Sequence, residues 1–477
     1  MRIAMIASEG APFIKTGGLG DVMQALPEAL AKQPHNEIVL ILPCYKRIKE
    51  TYMDQLEFIT NFEVNLGWRR QYVGVMKLRS RRKKLRIYFI DNEYYFGRDG
   101  VYGFADDGER FAFFCRGALA ALAYLDFHPE VIQCNDWQTA LIPILAKSEY
   151  GDHFGYSKTV FTIHNVEYQG WTDRWFFYDV LELPDWCLER LAVDDALNFM
   201  KGAIETADCV TTVSETYAKE LLYPYYAHGM DEVLRNNRGK LHGIVNGIDT
   251  DVFSPQSDPA LFCNYSVEDF SEGKAVNKQK IQERCGLPVR PDVPMLAMIT
   301  RLVGHKGIDL LCYIMDRLMG MDVQLVVIGT GEKKFEQALL DAQARYPDKL
   351  SVNLCFDTAF ASQLYAGADI YLMPSRSEPC GLSQIIAMHY GTIPVVNETG
   401  GLKDTVTAYN TDTFEGRGYT FQSYNADDFL AAIGRCLDLY IWSQDRWKDL
   451  IRRDMELDVS WRIPAERYME LFRSLMN

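Results

Sequence analysis

Lys15 stands two residues ahead of a glycine pair in Lys15-Thr16-Gly17-Gly18-Leu19-Gly20-Asp21. Glycine lets backbone approach a ligand, and an opening helix offers unpaired N–H groups, so a cation beside such a turn has the makings of a diphosphate contact. The same lettering returns as Thr399-Gly400-Gly401-Leu402-Lys403-Asp404, with Glu398 ahead of it and no lysine. The second copy therefore reads as wall rather than as the main phosphate site. For either copy the plainer alternative is a glycine pair that only closes a tight turn.

The stretch from Pro374 to Gln384, PSRSEPCGLSQ, places Glu378 just before Gly381, Leu382 and Ser383. Amides at such a helix start can hold phosphate oxygens, and the carboxylate can bond hydroxyls of a sugar attached to that phosphate. Arg301 and Lys306 supply cations able to neutralise charge growing on a leaving diphosphate. Glu378 could equally be a helix-start charge. Cys380 has no histidine base near it in sequence, which favours a structural or substrate-lining thiol over a nucleophile. Polar residues also follow apolar runs at Asn135-Asp136-Trp137, His164-Asn165 and Asn246-Gly247. Alone, each is a satisfied structural side chain or an N-cap; their shared position after a strand ties them together.

The elements that would position these groups are short apolar runs alternating with helical segments. RIAMIA (2–7), EIVLIL (37–42), VIQC (131–134), TVFTIH (159–164), CVTTV (209–213) and LHGIV (241–245) form one series. MLAMITR (295–301), VQLVVIG (323–329), DIYLMP (369–374) and TIPVVN (392–397) form a second. Continuous apolar strands between helices indicate parallel sheets covered on both faces, hence an α/β chain with two doubly wound units. A proline- and asparagine-rich stretch after residue 246 puts the boundary near 242–250. One insertion departs from this pattern: YVGVMKLRS (72–80) and KLRIYFID (84–91) alternate with period two and predict a hairpin. Its basic run, Arg81-Arg82-Lys83-Lys84, reads as a solvated tip, with an anion patch as the alternative.

The chain has 477 residues and a net charge of −15, which argues against nucleic acid or an anionic membrane as partner. Eleven cysteines with no C-x-x-C make a poor disulfide or zinc framework and suit reduced thiols in a cytoplasm. No run is long and apolar enough to predict a signal peptide or a membrane span.

KTGGLGDV, FTIHNVEYQG (161–170), VNGIDTDVFSP (245–255), RLVGHKG (301–307), SRSEPCGLSQ (375–384), TGGLKDTV and the terminal SW…PAERYMELF together resemble the bacterial glycogen synthases, relatives of the plant starch synthases. The resemblance runs in order along the whole chain. It implies the GT-B architecture: two Rossmann-like domains facing a deep cleft, spanning 1–245 and 246–457, with 458–477 returning to the first domain. In that last segment Trp461, Ile463, Tyr468, Leu471, Phe472 and Leu475 are expected to form the packed face. The implied reaction moves glucose from ADP-glucose to the non-reducing 4-hydroxyl of glycogen or a maltooligosaccharide, with retention, no metal and no cofactor.

By the same resemblance Lys15, Gly17 and Gly18 contact the diphosphate, and Asp21 and Asn246 lie near the donor sugar. Arg301 and Lys306 grip the diphosphate, while Glu378 holds the glucosyl hydroxyls beside Cys380, Gly381, Leu382 and Ser383. His164, Asn165 and Asp136 line the glucosyl and acceptor side, with Tyr95 as a further acceptor-side candidate. Phe356 stands where a tyrosine commonly stacks on adenine. Gly20 replaces the commoner alanine, which should loosen a helix start and leave the chemistry intact. No residue stands out as a nucleophile for double displacement, which favours front-face attack. Three rival readings are a non-catalytic glucan-binding or regulatory protein on the same fold, a phosphorylase, and a UDP-glucose-dependent synthase.

Overall fold

The computed structural model describes residues 1–80 and 84–476. Arg81, Arg82 and Lys83 of the basic run lie outside the described residues. The chain folds as two compact units, Met1–Asn246 together with Trp461–Asn477, and Gly247–Ser460.

The first unit is built on a nine-stranded sheet. Seven strands run parallel in the spatial order Leu241–Gly243, Cys209–Thr212, Lys158–Ile163, Val131–Asn135, Arg2–Ile6, Glu37–Pro43 and Leu85–Asp91. Every residue of Val131–Asn135 is buried, polar Gln133 and Asn135 included, as expected of a strand covered on both faces of the sheet. The predicted hairpin forms: Arg69–Leu78 pairs antiparallel with Leu85–Asp91, with Val75 opposite Ile90. The inserted strands are not a separate flap, because Leu85–Asp91 also pairs parallel with Glu37–Pro43 and so extends the main sheet. Leu56–Leu66, which sequence reading missed, closes the edge antiparallel to Arg69–Leu78.

The helix Arg462–Ser474 belongs to this unit. Ala465, Tyr468, Met469 and Phe472 are buried at three- and four-residue spacing and join the unit's core, with the helix Gly18–Lys32 as a neighbour. Ile463, expected on the packed face, is instead 41% exposed. It lies five residues before Tyr468, about 140° round the helix and so off the buried stripe.

The second unit is a six-stranded, all-parallel sheet in the order Leu350–Asn353, Gln324–Ile328, Met295–Ile299, Ile370–Met373, Ile393–Asn397, Tyr419–Phe421. The four central strands are those read from sequence. The two edge strands, LSVN and YTF, carry Ser351, Asn353 and Thr420 and so present no continuous apolar run in sequence.

Candidate functional site

In the Gly247–Ser460 unit, Met295–Ile299, Ile370–Met373 and Ile393–Asn397 lie side by side. Each runs at its carboxyl end into a turn, and the three turns interlock through backbone. Arg376 N donates to His305 O at 2.8 Å, and Gly401 N donates to Glu378 O at 3.0 Å. Glycine is required at the contacts. A Cβ on Gly307 (φ +78°) would lie 2.1 Å from Pro374 O, and one on Gly400 (φ +44°) 2.0 Å from Glu378 O. The second TGGL copy thus serves as the surface on which the Glu378 turn rests.

Glu378 is buried, and its Oε2 accepts Lys306 Nζ at 2.6 Å and Ser375 Oγ at 3.0 Å. Asn397 Nδ2 holds the Ser375 carbonyl at 2.9 Å. Ser375 and Asn397 are positioning residues that sequence reading did not find; their only sequence signal is their place at the ends of neighbouring strands. Arg301 is exposed at the adjoining strand end, and no side-chain bond restrains its guanidinium among the described residues. Gly381 adopts φ +71°, and Gln384 Nε2 donates to the carbonyls of Cys380 and Gly381, each at 3.0 Å. Cys380 is buried, while Leu382 and Ser383 are half-buried where the helix Ser383–His389 begins. Phe356, 86% exposed, sits in the turn after the edge strand Leu350–Asn353.

In the Met1–Asn246 unit the candidates again follow parallel strands. Lys15 Nζ is paired with Asp21 Oδ1 at 2.7 Å, so an incoming anion would compete with that carboxylate for the ammonium. Gly17 and Gly18 are exposed at the start of the helix Gly18–Lys32. Beneath them Glu9 is buried and accepts from the Thr16 amide and, at 3.1 Å, from Thr16 Oγ1; burial holds its carboxyl above the usual carboxylate range. Gly20 matters more than expected: a Cβ there would lie 2.9 Å from Lys15 Cγ, so alanine would displace the lysine.

Asp136 follows the strand Val131–Asn135 at φ 57°, a left-handed conformation costly for a residue other than glycine. Its Oδ1 accepts from the amides of His164 at 2.7 Å and Asn165 at 3.3 Å. Asn135 Nδ2 donates to Ile6 O at 3.1 Å, which leaves Asn135 Oδ1 to accept His164 Nε2 at 2.9 Å. The proton of neutral His164 is therefore on Nε2, and Nδ1 is the acceptor. Asn246 is buried with its Oδ1 unpartnered. Tyr95 requires correction: it is fully buried, its hydroxyl donates to Glu109 at 2.5 Å, and it cannot present a face to an acceptor. Its neighbour Tyr94 takes the exposed position.

Burial pushes Asp136 from its ordinary value of 3.8 up to about 7 against the pull of the two amides, with a minor push from Glu9, and burial lowers His164 to about 3. A carboxyl raised by folding binds a proton that the unfolded chain releases, so the Asp136 contribution to stability falls as pH rises from about 4 to about 7. A histidine lowered by folding leaves the proton to the unfolded chain, so the His164 contribution falls as pH drops from about 6.5 to about 3. The slopes oppose each other between about pH 4 and 6.5. Asp136→Asn is expected to unmask the histidine slope, losing up to about 1 kcal/mol per pH unit on acidification relative to wild type, and His164→Gln the reverse. Urea unfolding across pH 4–7 reads both signs.

Among the described residues no group of three or more His, Cys, Asp and Glu side chains could hold a metal ion, and no helix is long and apolar enough to cross a membrane. Residues 2–236 match the family described as Starch synthase catalytic domain, and residues 279–453 match Glycosyl transferases group 1. The glycogen synthase of Desulforamulus reducens is 45% identical over 480 residues, covering 100% of this chain and 99% of the relative. That of Clostridium beijerinckii is 46% identical over 483 residues, with the same coverage. Among solved structures, the catalytic domain of starch synthase IV from Arabidopsis thaliana, bound to ADP and acarbose, superposes with a TM-score of 0.90 at 31% identity, covering 99% of each chain. Sucrose-phosphate synthase from Thermosynechococcus elongatus shares the fold, with a TM-score of 0.61 at 18% identity over 99% of this chain and 98% of that one.

Proposed function

This chain belongs to the glycogen synthase and starch synthase family of GT-B glycosyltransferases, and on that footing we propose that ADP-glucose is its donor and glycogen or a maltooligosaccharide its acceptor. It is a hexosyltransferase, and in this reading it elongates an α-1,4-glucan with retention of configuration. The observation that carries the sugar-nucleotide part of this reading is the Lys306–Glu378 pair, a cation and a carboxylate held together on adjoining strand ends beside the amides of Gly381 to Ser383.

In this reading Arg301 and Lys306 neutralise the diphosphate as it leaves, and Glu378 accepts hydrogen bonds from glucosyl hydroxyls. Phe356 offers an exposed ring to the adenine. Lys15, Gly17 and Gly18 contact phosphate from their exposed turn, and Asp21 and Asn246 contact the donor sugar. Asp136, His164 and Asn165 line the acceptor side. The acceptor 4-hydroxyl attacks the anomeric carbon as its bond to the phosphate oxygen breaks, and the hydroxyl proton passes to that departing oxygen. The sugar nucleotide is itself a substrate rather than a cofactor, and Arg301 and Lys306 take the diphosphate charge that a metal ion would otherwise neutralise. Free thiols at all described cysteines fit a cytoplasmic enzyme.

Glucosyl transfer to glycogen, assayed with ADP-glucose and separately with UDP-glucose, tests the proposal. Turnover with ADP-glucose at least about tenfold above UDP-glucose is expected, the worth of roughly 1.4 kcal/mol of base recognition. Equal turnover would replace the donor assignment. No turnover with either, in folded protein that still binds glycogen, would favour the non-catalytic reading.

A further inference from the structure

The chain carries 65 acidic side chains against 50 basic ones, so three arginines gathered on one face call for a physical reason. Arg446, Arg452 and Arg453 lie on the outward side of the helix Gln444–Met455, whose other side buries Trp447, Leu450 and Ile451 in the core of the Gly247–Ser460 unit. With Tyr409, Phe414 and Asp449 they line a cleft of about 330 Å³. Asp449 is the one acid among these six. The cleft lies away from the candidate donor groups. The segment 407–418, which supplies Tyr409 and Phe414, leads into Tyr419–Phe421, a strand parallel to Ile393–Asn397. It therefore sits at the amino end of the sheet, whereas Arg301, Lys306 and Glu378 follow strands at the carboxyl end.

The wall opposite the arginines is closed on itself. Tyr409 N donates to Gly418 O at 2.7 Å, Asn410 N to Glu415 O at 2.8 Å, and Phe414 N to Asn410 O at 2.8 Å. Asn410 Oδ1 accepts the amides of Asp412 at 2.8 Å and Thr413 at 3.0 Å. In this segment Phe414 adopts φ +59°, a left-handed conformation costly for a bulky residue. Its ring lies under the guanidinium of Arg446, whose carbon is 3.7 Å from the ring centroid.

The guanidinium forks are largely open. Arg446 Nη1 is 3.9 Å from Asp449 Oδ2, and Arg452 Nη1 is 3.3 Å from Asp449 Oδ1. Arg453 Nε donates to Asp449 O at 3.4 Å. One carboxylate at such distances leaves most of the five N–H donors on each arginine unused. Behind them Asp454 is fully buried, with neither side-chain oxygen hydrogen-bonded among the described residues. Burial holds its carboxyl well above the usual carboxylate range against the pull of Arg417 and Arg453, so this acid does little to offset the cluster.

We propose that this cleft binds a phosphomonoester carrying a flat ring, of the nucleoside monophosphate class, at a place separate from the candidate donor site. Three cations against one anion leave the excess that a phosphate dianion would match, and the arginine forks fit its oxygens in pairs. Phosphate alone fills only part of the space, since small-molecule sites begin at about 300 Å³. The free face of the Arg446 guanidinium, backed by Phe414, is a plane on which a flat ring stacks. A nucleic acid would need a basic surface running beyond the cleft, which the net charge of −15 opposes.

The probe is phenyl phosphate, with inorganic phosphate beside it, read by phosphorus NMR line width on titration with the full chain. Phenyl phosphate is expected to bind at least about threefold more tightly than inorganic phosphate. Arg446→Gln/Arg452→Gln should weaken it about tenfold or more, and Arg446→Lys/Arg452→Lys about threefold, because charge stays while the forks are lost. Both variants exchange exposed side chains, and a wild-type urea transition in each shows that lost binding reads the site and not the fold. Arg301→Gln/Lys306→Gln should bind the probe within about twofold of wild type. Equal binding by wild type and the glutamine cleft variant, or no binding by wild type, would overturn the proposal. Loss of binding in Arg301→Gln/Lys306→Gln would overturn it too, by placing the phosphate at the donor groups. AMP should displace the probe at a lower concentration than a hexose monophosphate does, and the reverse order would overturn the flat-ring class. None of these readings needs glucosyl transfer, so a failure of the functional assignment leaves the test intact.

Discussion

Glu378→Ala is expected to lower kcat for glucosyl transfer by about 10²–10³-fold or more and to cost about 3 kcal/mol of stability. Both effects come from one geometry. The carboxylate and the Lys306 ammonium, 2.6 Å apart, keep 8% and 16% of their side-chain surface exposed. Removing the acid leaves a cation largely desolvated without its counter-charge, and breaking such a pair from one side is far costlier than never having built it. Ser375 Oγ loses its acceptor at the same time. Glu378→Gln keeps the shape and an acceptor oxygen, so it should recover part of the stability while kcat stays low. Lys306→Ala/Glu378→Ala should be less destabilising than the sum of the single variants, the sign expected of a coupled pair. Urea unfolding and ADP release, measured on the same preparations, separate the two effects. A Glu378→Ala protein with near-wild-type kcat would remove the carboxylate from the reaction.

The features legible in the sequence were those fixed by period and by chemistry together. Strands such as Glu37–Pro43 and Gln324–Ile328, buried along nearly their whole length, announce themselves as short continuous apolar runs. Lys15 stands out as a cation beside a glycine pair, Glu378 as a carboxylate ahead of a helix start, and Arg301 with Lys306 as cations just beyond an apolar run. Groups that act through another group were illegible. Nothing in the letters tells that Asn135 fixes the tautomer of His164, or that Asn397 holds the carbonyl of the serine bonded to Glu378. Tyr95 failed for the converse reason: the adjoining Tyr94 and Tyr95 differ only in which side of a four-residue helix they occupy, and one is exposed while the other is core. Leu350–Asn353 and Tyr419–Phe421 are broken by Ser351, Asn353 and Thr420, so neither shows as a continuous apolar run, although Phe356 hangs directly beyond one of them.

The repeated TGGL separates lettering from physical demand most sharply, and it yields a paired prediction. Gly17 and Gly400 occupy the same place in the two copies. Gly17 has extended backbone at φ −155°, and a Cβ there would meet nothing within 4 Å. Gly400 is left-handed at φ +44° and faces Glu378 O at 2.0 Å from the would-be Cβ. Gly17→Ala is therefore expected to leave stability within about 0.5 kcal/mol of wild type. Gly400→Ala must push the carbonyl of Glu378 away or twist its own backbone, at a cost of about 2–4 kcal/mol. The carbonyl it displaces is the one that accepts Gly401 N, so the turn carrying the carboxylate moves with it. Misplacing a substrate-positioning group by about 1 Å costs about 10²-fold in rate, so kcat should fall by that order even in the fraction that remains folded. Urea midpoints for the two variants, with kcat measured on the folded fraction, check this directly. Equal tolerance of alanine at both positions would mean that the Glu378 turn is not seated on Gly400 and Gly401, and that the second copy is only a tight turn.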